Sequence, residues 1–263
     1  IPVNTIYFDE AHNSVQRHFF PATEYFATGV DSRCFFFTAT PKHSNTIKGM
    51  NNEYVYGKVL EQVPAPELVD NDIILPPKVV VKELDMIKDR KPTPEDDADN
   101  ILATLDEQNV SKILICARRT TQITNLISDS KLTTELYSRG YNWMYITAKT
   151  GAVINGIKVS RVKFFETLNT WGKDNTRFVV LHHSILSEGI NVSGLEAVLF
   201  LRSMNFTTIS QTIGRVIRTG NVNKRFGIVS IPVYDKVGIS TSKRVNAVVD
   251  TIFDKGKPAI STK

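Results

Sequence analysis

The sequence predicts an α/β protein built on parallel sheets, and three observations carry that prediction. Short apolar runs alternate with segments of helical period along all 263 residues, the pattern of strands joined by crossover helices. Some runs are apolar at every position, as at 113–117 and 178–181, which fits strands covered on both faces. The first run, 5–8, leads straight into Asp9-Glu10-Ala11-His12, so two carboxylates stand where a strand of such a sheet ends, the edge at which α/β ligands bind.

The elements follow in order. Strands are expected at 5–8, 34–38, 79–81, 113–117, 143–147, 178–181, 197–201 and 227–231, and helices at 120–139, 160–171, 207–217 and 244–253. The stretch 42–75 is less regular. Pro76-Pro77 punctuates the chain, and 88–99, charged and carrying Pro92 and Pro94, reads as a solvated loop leading into a helix. A hinge is therefore expected near 75–90, dividing the chain into domains 1–76 and 77–263.

Composition narrows the class. With 41% hydrophobic and 22% charged residues the chain is a folded globular protein and not a disordered one. No apolar stretch is long enough to span a membrane and no signal-type leader opens the chain, so a cytoplasmic location is expected. The chain opens on Ile1 and its first methionine is Met50, which reads as a fragment. Cys34 and Cys116 lie in strand-like runs and read as buried, reduced thiols. No Cys/His spacing resembles a zinc site, and His182 and His183 are neighbours on a strand, so they point to opposite faces. A net charge of +5 permits contact with a polyanion without establishing it.

The chemistry concentrates in four places. At the end of a buried strand, Asp9 and Glu10 can divide the labour, one holding Mg²⁺ through water and the other orienting a water and taking its proton; the plainer reading is an acidic pair opening a helix. Thr38-Ala39-Thr40-Pro41 ends the next strand and draws its weight from that position alone. Gln211, Arg215 and Arg218, if helical, lie near one face, where two arginines can clamp a triphosphate; a solvated basic face is the alternative. Gly214 between them lets another backbone approach. The polar turn Ser184-Ile185-Leu186-Ser187-Glu188-Gly189-Ile190-Asn191 follows the 178–181 strand and suits a coupling loop. The glycine-rich phosphate loop that should accompany the acidic motif is missing: Gly151 and Gly156 have the right separation, but Ile157 follows where a lysine is required.

On these motifs the chain resembles a superfamily 2 helicase or translocase of the Asp-Glu-Ala-His class, in the branch of restriction-type and phage-encoded motors, from motif II to just beyond motif VI. The resemblance implies tandem RecA-like P-loop NTPase domains, the first truncated at its N-terminus and the second essentially complete, with ATP and Mg²⁺ as cofactors and nucleic acid as track, DNA expected ahead of RNA. It implies that Asp9 binds magnesium, Glu10 activates water, His12 couples the site to the second domain, and Thr38 and Thr40 link hydrolysis to strand movement. Residues 113–118, ending in Arg118, resemble motif IV. Ser187, Gly189 and Asn191 fall in motif V, and Gln211, Arg215 and Arg218 in motif VI, with the arginines as fingers. Ser184, Ser187, Arg118 and Lys42 are candidate nucleic-acid contacts, and Arg119, Lys224 and Arg225 are further basic positions. Asn191 stands where the family often carries Asp, and His183 where Thr is common.

The expected function is thus the C-terminal portion of an ATP-dependent helicase or translocase, inactive alone, with the phosphate loop supplied by a missing N-terminal segment or a second chain. The alternatives are a non-catalytic nucleic-acid-binding or interaction module on a helicase-like fold, and an NTPase with no nucleic-acid track.

Overall fold

The protein is described here from a computed structural model, which describes residues 3–85, 87, 90–183, 192, 194–201, 204–219 and 224–262. Its contacts divide the chain into two compact units, Ile1–Glu67 with Asp250–Lys263, and Leu68–Val249. The first crossing lies upstream of the 75–90 region, and the C-terminal segment returns to the first unit.

The first unit is built on two parallel strands, β1 (Thr5–Phe8) and β2 (Arg33–Phe36), in register from Thr5 opposite Arg33 to Phe8 opposite Phe36. Strand alternation sends Ile6, Phe8, Cys34 and Phe36 to one side and Tyr7 and Phe35 to the other. Phe36 packs on a small core of Phe20, Val55 and Tyr56, supplied by the short helices α1 (Phe20–Glu24) and α2 (Glu53–Tyr56). On the opposite side, Tyr7 stacks on Phe35 at 5.5 Å between ring centroids and remains 69% exposed, with Phe37 54% exposed beside it. A two-residue strand β3 (Lys42–His43) follows β2. Helix α3 (Ala65–Asp70) leads into the second unit.

The second unit is a doubly wound sheet. Its strands are β4 (Pro77–Glu83), β5 (Lys112–Cys116), β6 (Asn142–Thr147), β7 (Gly151–Ile154), β8 (Ile157–Val159), β9 (Phe178–His182), β10 (Ala197–Phe200) and β11 (Gly227–Val233). They form one eight-stranded sheet in the order β4-β11-β10-β5-β9-β6-β7-β8. The first six of that order pair in parallel, whereas β7 pairs antiparallel with both of its neighbours, β6 and β8. Every residue of β5, β9 and β10 is buried, as continuous apolar runs in a doubly covered sheet require.

Right-handed crossovers place the helices. Helices α4 (Pro94–Gln108), α5 (Thr120–Ser128) and α6 (Leu132–Ser138) cover one face, where Ile101, Leu105, Ile123, Leu126, Leu132 and Leu136 pack against Ile113, Ile115, Val179 and Leu181. Helices α7 (Arg161–Lys173) and α8 (Phe206–Val216) run in crossovers of the opposite direction, and so cover the other face, where α9 (Lys236–Val249), which follows the last strand β11, packs beside α8. The chain then returns, and a terminal strand β12 (Ser261–Thr262) pairs in parallel with β3.

Several expectations are refined. The single helix expected over 120–139 is two, broken at Asp129–Lys131. The loop expected through residue 99 becomes helix at Pro94, because Thr93 and Asp96 form a reciprocal capping box and proline suits the first helical turn. The helix expected at 244–253 begins earlier, at Lys236. Gly151 and Gly156 belong to the β7–β8 hairpin, with Asn155 and Gly156 both at positive φ in its two-residue turn. Cys116 is buried, while Cys34 is only half-buried, and neither is in a disulfide. Among the described residues no helix is long and apolar enough to cross a membrane.

Candidate active site

In the first unit the acidic motif is a turn pinned to the neighbouring strand. Phe37 N–H donates to Phe8 O and Ala11 N–H to Phe37 O, both at 2.9 Å, so the turn after β1 is bonded to the segment leaving β2. Between these bonds Glu10 takes a left-handed conformation, φ 46° and ψ 45°, which costs a residue with a Cβ roughly 1–2 kcal/mol. The Asp9 carboxylate accepts from Glu10 N–H at 2.8 Å, helping to hold that conformation. Asp9 is exposed and Glu10 half-buried.

His12 joins the two halves of this site. Its imidazole is fully buried, and Nδ1 lies 3.0 Å from Thr38 Oγ1, 3.3 Å from Thr40 Oγ1 and 3.3 Å from Glu10 Oε2. Thr40 N–H donates to Thr38 Oγ1 at 3.1 Å, so the two threonines form one turn around the ring. Below it, Ser14 Oγ donates to Ala11 O at 2.6 Å and meets Tyr56 OH at 3.1 Å; burial raises the Tyr56 phenol. Asp9, Glu10, His12, Thr38 and Thr40 are therefore brought together in the first unit. Lys42 sits apart in β3, half-buried.

Among the described residues no group of three or more His, Cys, Asp or Glu side chains could hold a metal ion. The exposed Asp9 fits a weaker task, one carboxylate contact to a largely hydrated Mg²⁺ whose remaining ligands are water and phosphate.

In the second unit Gln211 and Arg215 lie on α8, four residues apart and on one face; Gln211 is half-buried and Arg215 is 7% exposed. The helix ends at Val216. Arg218 lies beyond it, exposed, in an isolated antiparallel bridge to Ile74, with Leu75 N–H donating to Ile217 O at 2.7 Å. The expected helical face thus holds two of the three residues. Gly214 corrects another expectation: a Cβ there would meet nothing within 4 Å among the described residues. The close approach is at Gly227, where a Cβ would stand 2.7 Å from Val216 O.

Arg118 follows β5 at the carboxyl edge of the large sheet, on a braced turn. Its N–H donates to Gln122 Oε1 at 2.6 Å, Gln122 Nε2 donates to Asp97 Oδ2 at 2.5 Å, and Tyr234 OH donates to the other Asp97 oxygen. The Arg118 side chain, 44% exposed, reaches Asp235 at 3.3 Å. Burial raises the Asp97 carboxyl, against the lowering effect of its two donors, and raises the Tyr234 phenol far above its ordinary range. Residues Ser184, Ser187, Gly189 and Asn191 lie outside the described residues.

Lys224 was unforeseen in its direction. Its ammonium is turned inward onto backbone carbonyls, and no local pattern in the sequence announces that contact.

The fold is shared with solved structures of nucleic-acid enzymes. The ATP-dependent type ISP restriction-modification enzyme LlaBIII bound to DNA matches 100% of this chain with a TM-score of 0.63 at 16% identity. A fragment described as the HsdR subunit of a type I restriction enzyme from Vibrio vulnificus matches 99% with a TM-score of 0.61 at 14% identity. Dbp5 of S. cerevisiae bound to RNA and ADP-BeF3 matches 98% with a TM-score of 0.56 at 14% identity. The chain spans 22%, 47% and 59% of those three chains respectively. No family model and no curated relative matches the sequence. The class is therefore an α/β protein with a helicase-like, RecA-like fold.

Proposed function

We propose that this chain is the C-terminal portion of an ATP-dependent nucleic-acid helicase or translocase of superfamily 2, carrying an Asp-Glu-Ala-His box and acting in the cytoplasm. Hydrolysis is coupled through two RecA-like domains, 1–76 and 77–263 in the sequence reading, to movement on DNA or RNA, with DNA the expected track. The observation that carries this reading is His12: one buried ring touches the carboxylate expected to activate water and both hydroxyls of the next strand's turn. A mere acidic turn has no need of that link, whereas a motor must transmit the state of its hydrolytic carboxylate.

In this reading Asp9 contacts Mg²⁺ through water, Glu10 positions the attacking water and accepts its proton, and Arg215 and Arg218 neutralise charge on the transferring phosphoryl group. Gln211, Gly189 and Asn191 serve the nucleotide, and Arg118, Lys42, Ser184 and Ser187 the nucleic-acid backbone. The phosphate grip comes from a polypeptide segment carrying a glycine-rich loop, which these 263 residues lack. Its natural seat is the open ring face of Tyr7, Phe35 and Phe37, because parallel strands are normally covered on both sides.

The test is complementation. The chain alone should hydrolyse no ATP, and joining it to a phosphate-loop segment should give hydrolysis stimulated by nucleic acid and abolished in Glu10→Gln or Arg215→Ala. A complemented protein that bound nucleic acid but never hydrolysed ATP would leave a non-catalytic module; hydrolysis indifferent to DNA and RNA would leave an NTPase without a track.

A further inference from the structure

The end of α8 is tethered to distant parts of the second unit. A helix leaves its last carbonyls without internal partners, and those of α8 are met from two sides. Leu75 N–H takes Ile217 O at 2.7 Å. From the other side Lys224 Nζ donates to Val216 O, to Arg218 O at 3.3 Å and to Leu195 O at 2.6 Å. An ammonium has three N–H donors, and here each finds a carbonyl. Its charge also lies at the negative end of the helix dipole. Three residues on, Gly227 opens β11 against the same turn, where a Cβ would stand 2.7 Å from Val216 O and 2.7 Å from an Ile217 methyl.

We infer that Lys224 is a positioning residue, whose ammonium, seated on the carbonyls of Leu195, Val216 and Arg218, sets where the end of α8 delivers Arg215 and Arg218. The inference rests on the arginine roles proposed above. It also gives Lys224, read from the sequence only as one of several basic positions, a role inside the fold. The seat ties three separate pieces of chain to one nitrogen: the approach to β10, the end of α8 and the approach to β11. A guanidinium cannot reproduce it, because its donors lie in one plane as a fork and do not converge from a point. Burial lowers the ammonium to about 8, against the opposing charge of Glu196.

The full chain and its Lys224→Met and Lys224→Arg variants are compared by amide hydrogen exchange. Exchange at Ile217 and Leu75 should accelerate roughly tenfold in both variants while β10 and β11 stay protected. Unchanged exchange at these amides, or equal acceleration throughout the second unit, would overturn the inference. Lys224→Arg keeps the charge and serves if the methionine variant does not fold. In the complemented protein Lys224→Arg should lower kcat roughly tenfold with KM for ATP held within about twofold; an unaltered kcat would also overturn it. Nucleic-acid binding by Lys224→Met should keep its salt dependence, whereas loss of about one ion from the slope would assign Lys224 to phosphate contact instead. If the complemented wild-type protein hydrolysed no ATP, the motor reading would fall, and the exchange result would still decide whether Lys224 seats the helix end.

Discussion

The two units spend their apolar residues differently. In the second, β5, β9 and β10 are buried along their whole length between two layers of helices. In the first, a two-stranded parallel sheet has one covered side and one side on which Tyr7 and Phe37 remain more than half exposed. Parallel strands are ordinarily buried on both faces, and two strands alone are marginal. The contrast teaches that the second unit encloses its central parallel strands, while the first holds its chemistry on a sheet that is covered only in part.

The contrast can be broken most directly in the cores. Phe178→Ala removes a fully buried ring from the second unit and should cost about 3–5 kcal/mol in urea unfolding. Tyr7→Ala in the first unit should stay within about 0.5 kcal/mol, because that ring is largely solvated. Equal losses would erase the distinction between the units.

A smaller effect sharpens the same comparison. His12→Ala removes the buried hub that joins Glu10, Thr38 and Thr40 and should cost about 1–3 kcal/mol, the price of leaving buried polar groups unpaired. Proteolysis or hydrogen exchange should report that loss in the first unit and leave the large sheet untouched.

The smallest effect is a dependence on pH in the second unit. Asp97 is a carboxyl whose folded pKa is raised above its ordinary 3.8 by burial. The folded state therefore keeps a proton that the unfolded chain has lost, and this group's contribution falls as pH rises from 3.8 to the raised value. Urea midpoints measured across that window should show the decline in the wild type and lose Asp97's share of it in Asp97→Asn. A variant with the same slope would assign the decline to other carboxyls.

Much of this was legible in the sequence. The continuous apolar runs at β5 and β9 announced buried strands, and β1 ends where the Asp9-Glu10 turn required it to end. The β7–β8 hairpin was also written locally, as Asn155-Gly156 between Ala152-Val153-Ile154 and Ile157-Lys158-Val159, and was read only as a failed phosphate loop. The two-residue turn chemistry outranks the glycine spacing there. Arg218 escaped the helical reading because continued helical period does not say where tertiary bonds stop a helix. Ile217 O is taken by Leu75, far upstream, and the backbone leaves the helix at that point.

The sequence by itself determined the α/β class, the strand ends that carry Asp9 and Glu10, and the order of the acidic and arginine motifs, because hydrophobic period and turn chemistry act between near neighbours. The tertiary structure alone decided that Glu10 is held left-handed, that His12 reaches both threonines, that Arg118 stands on a buried Asp97–Gln122 brace, and that Lys224 faces inward. Each of these depends on a donor meeting an acceptor from a distant part of the chain, as Lys224 meets a carbonyl 29 residues away. Such meetings are fixed only when the layers pack, since burial leaves a polar group no partner but the one the fold brings to it.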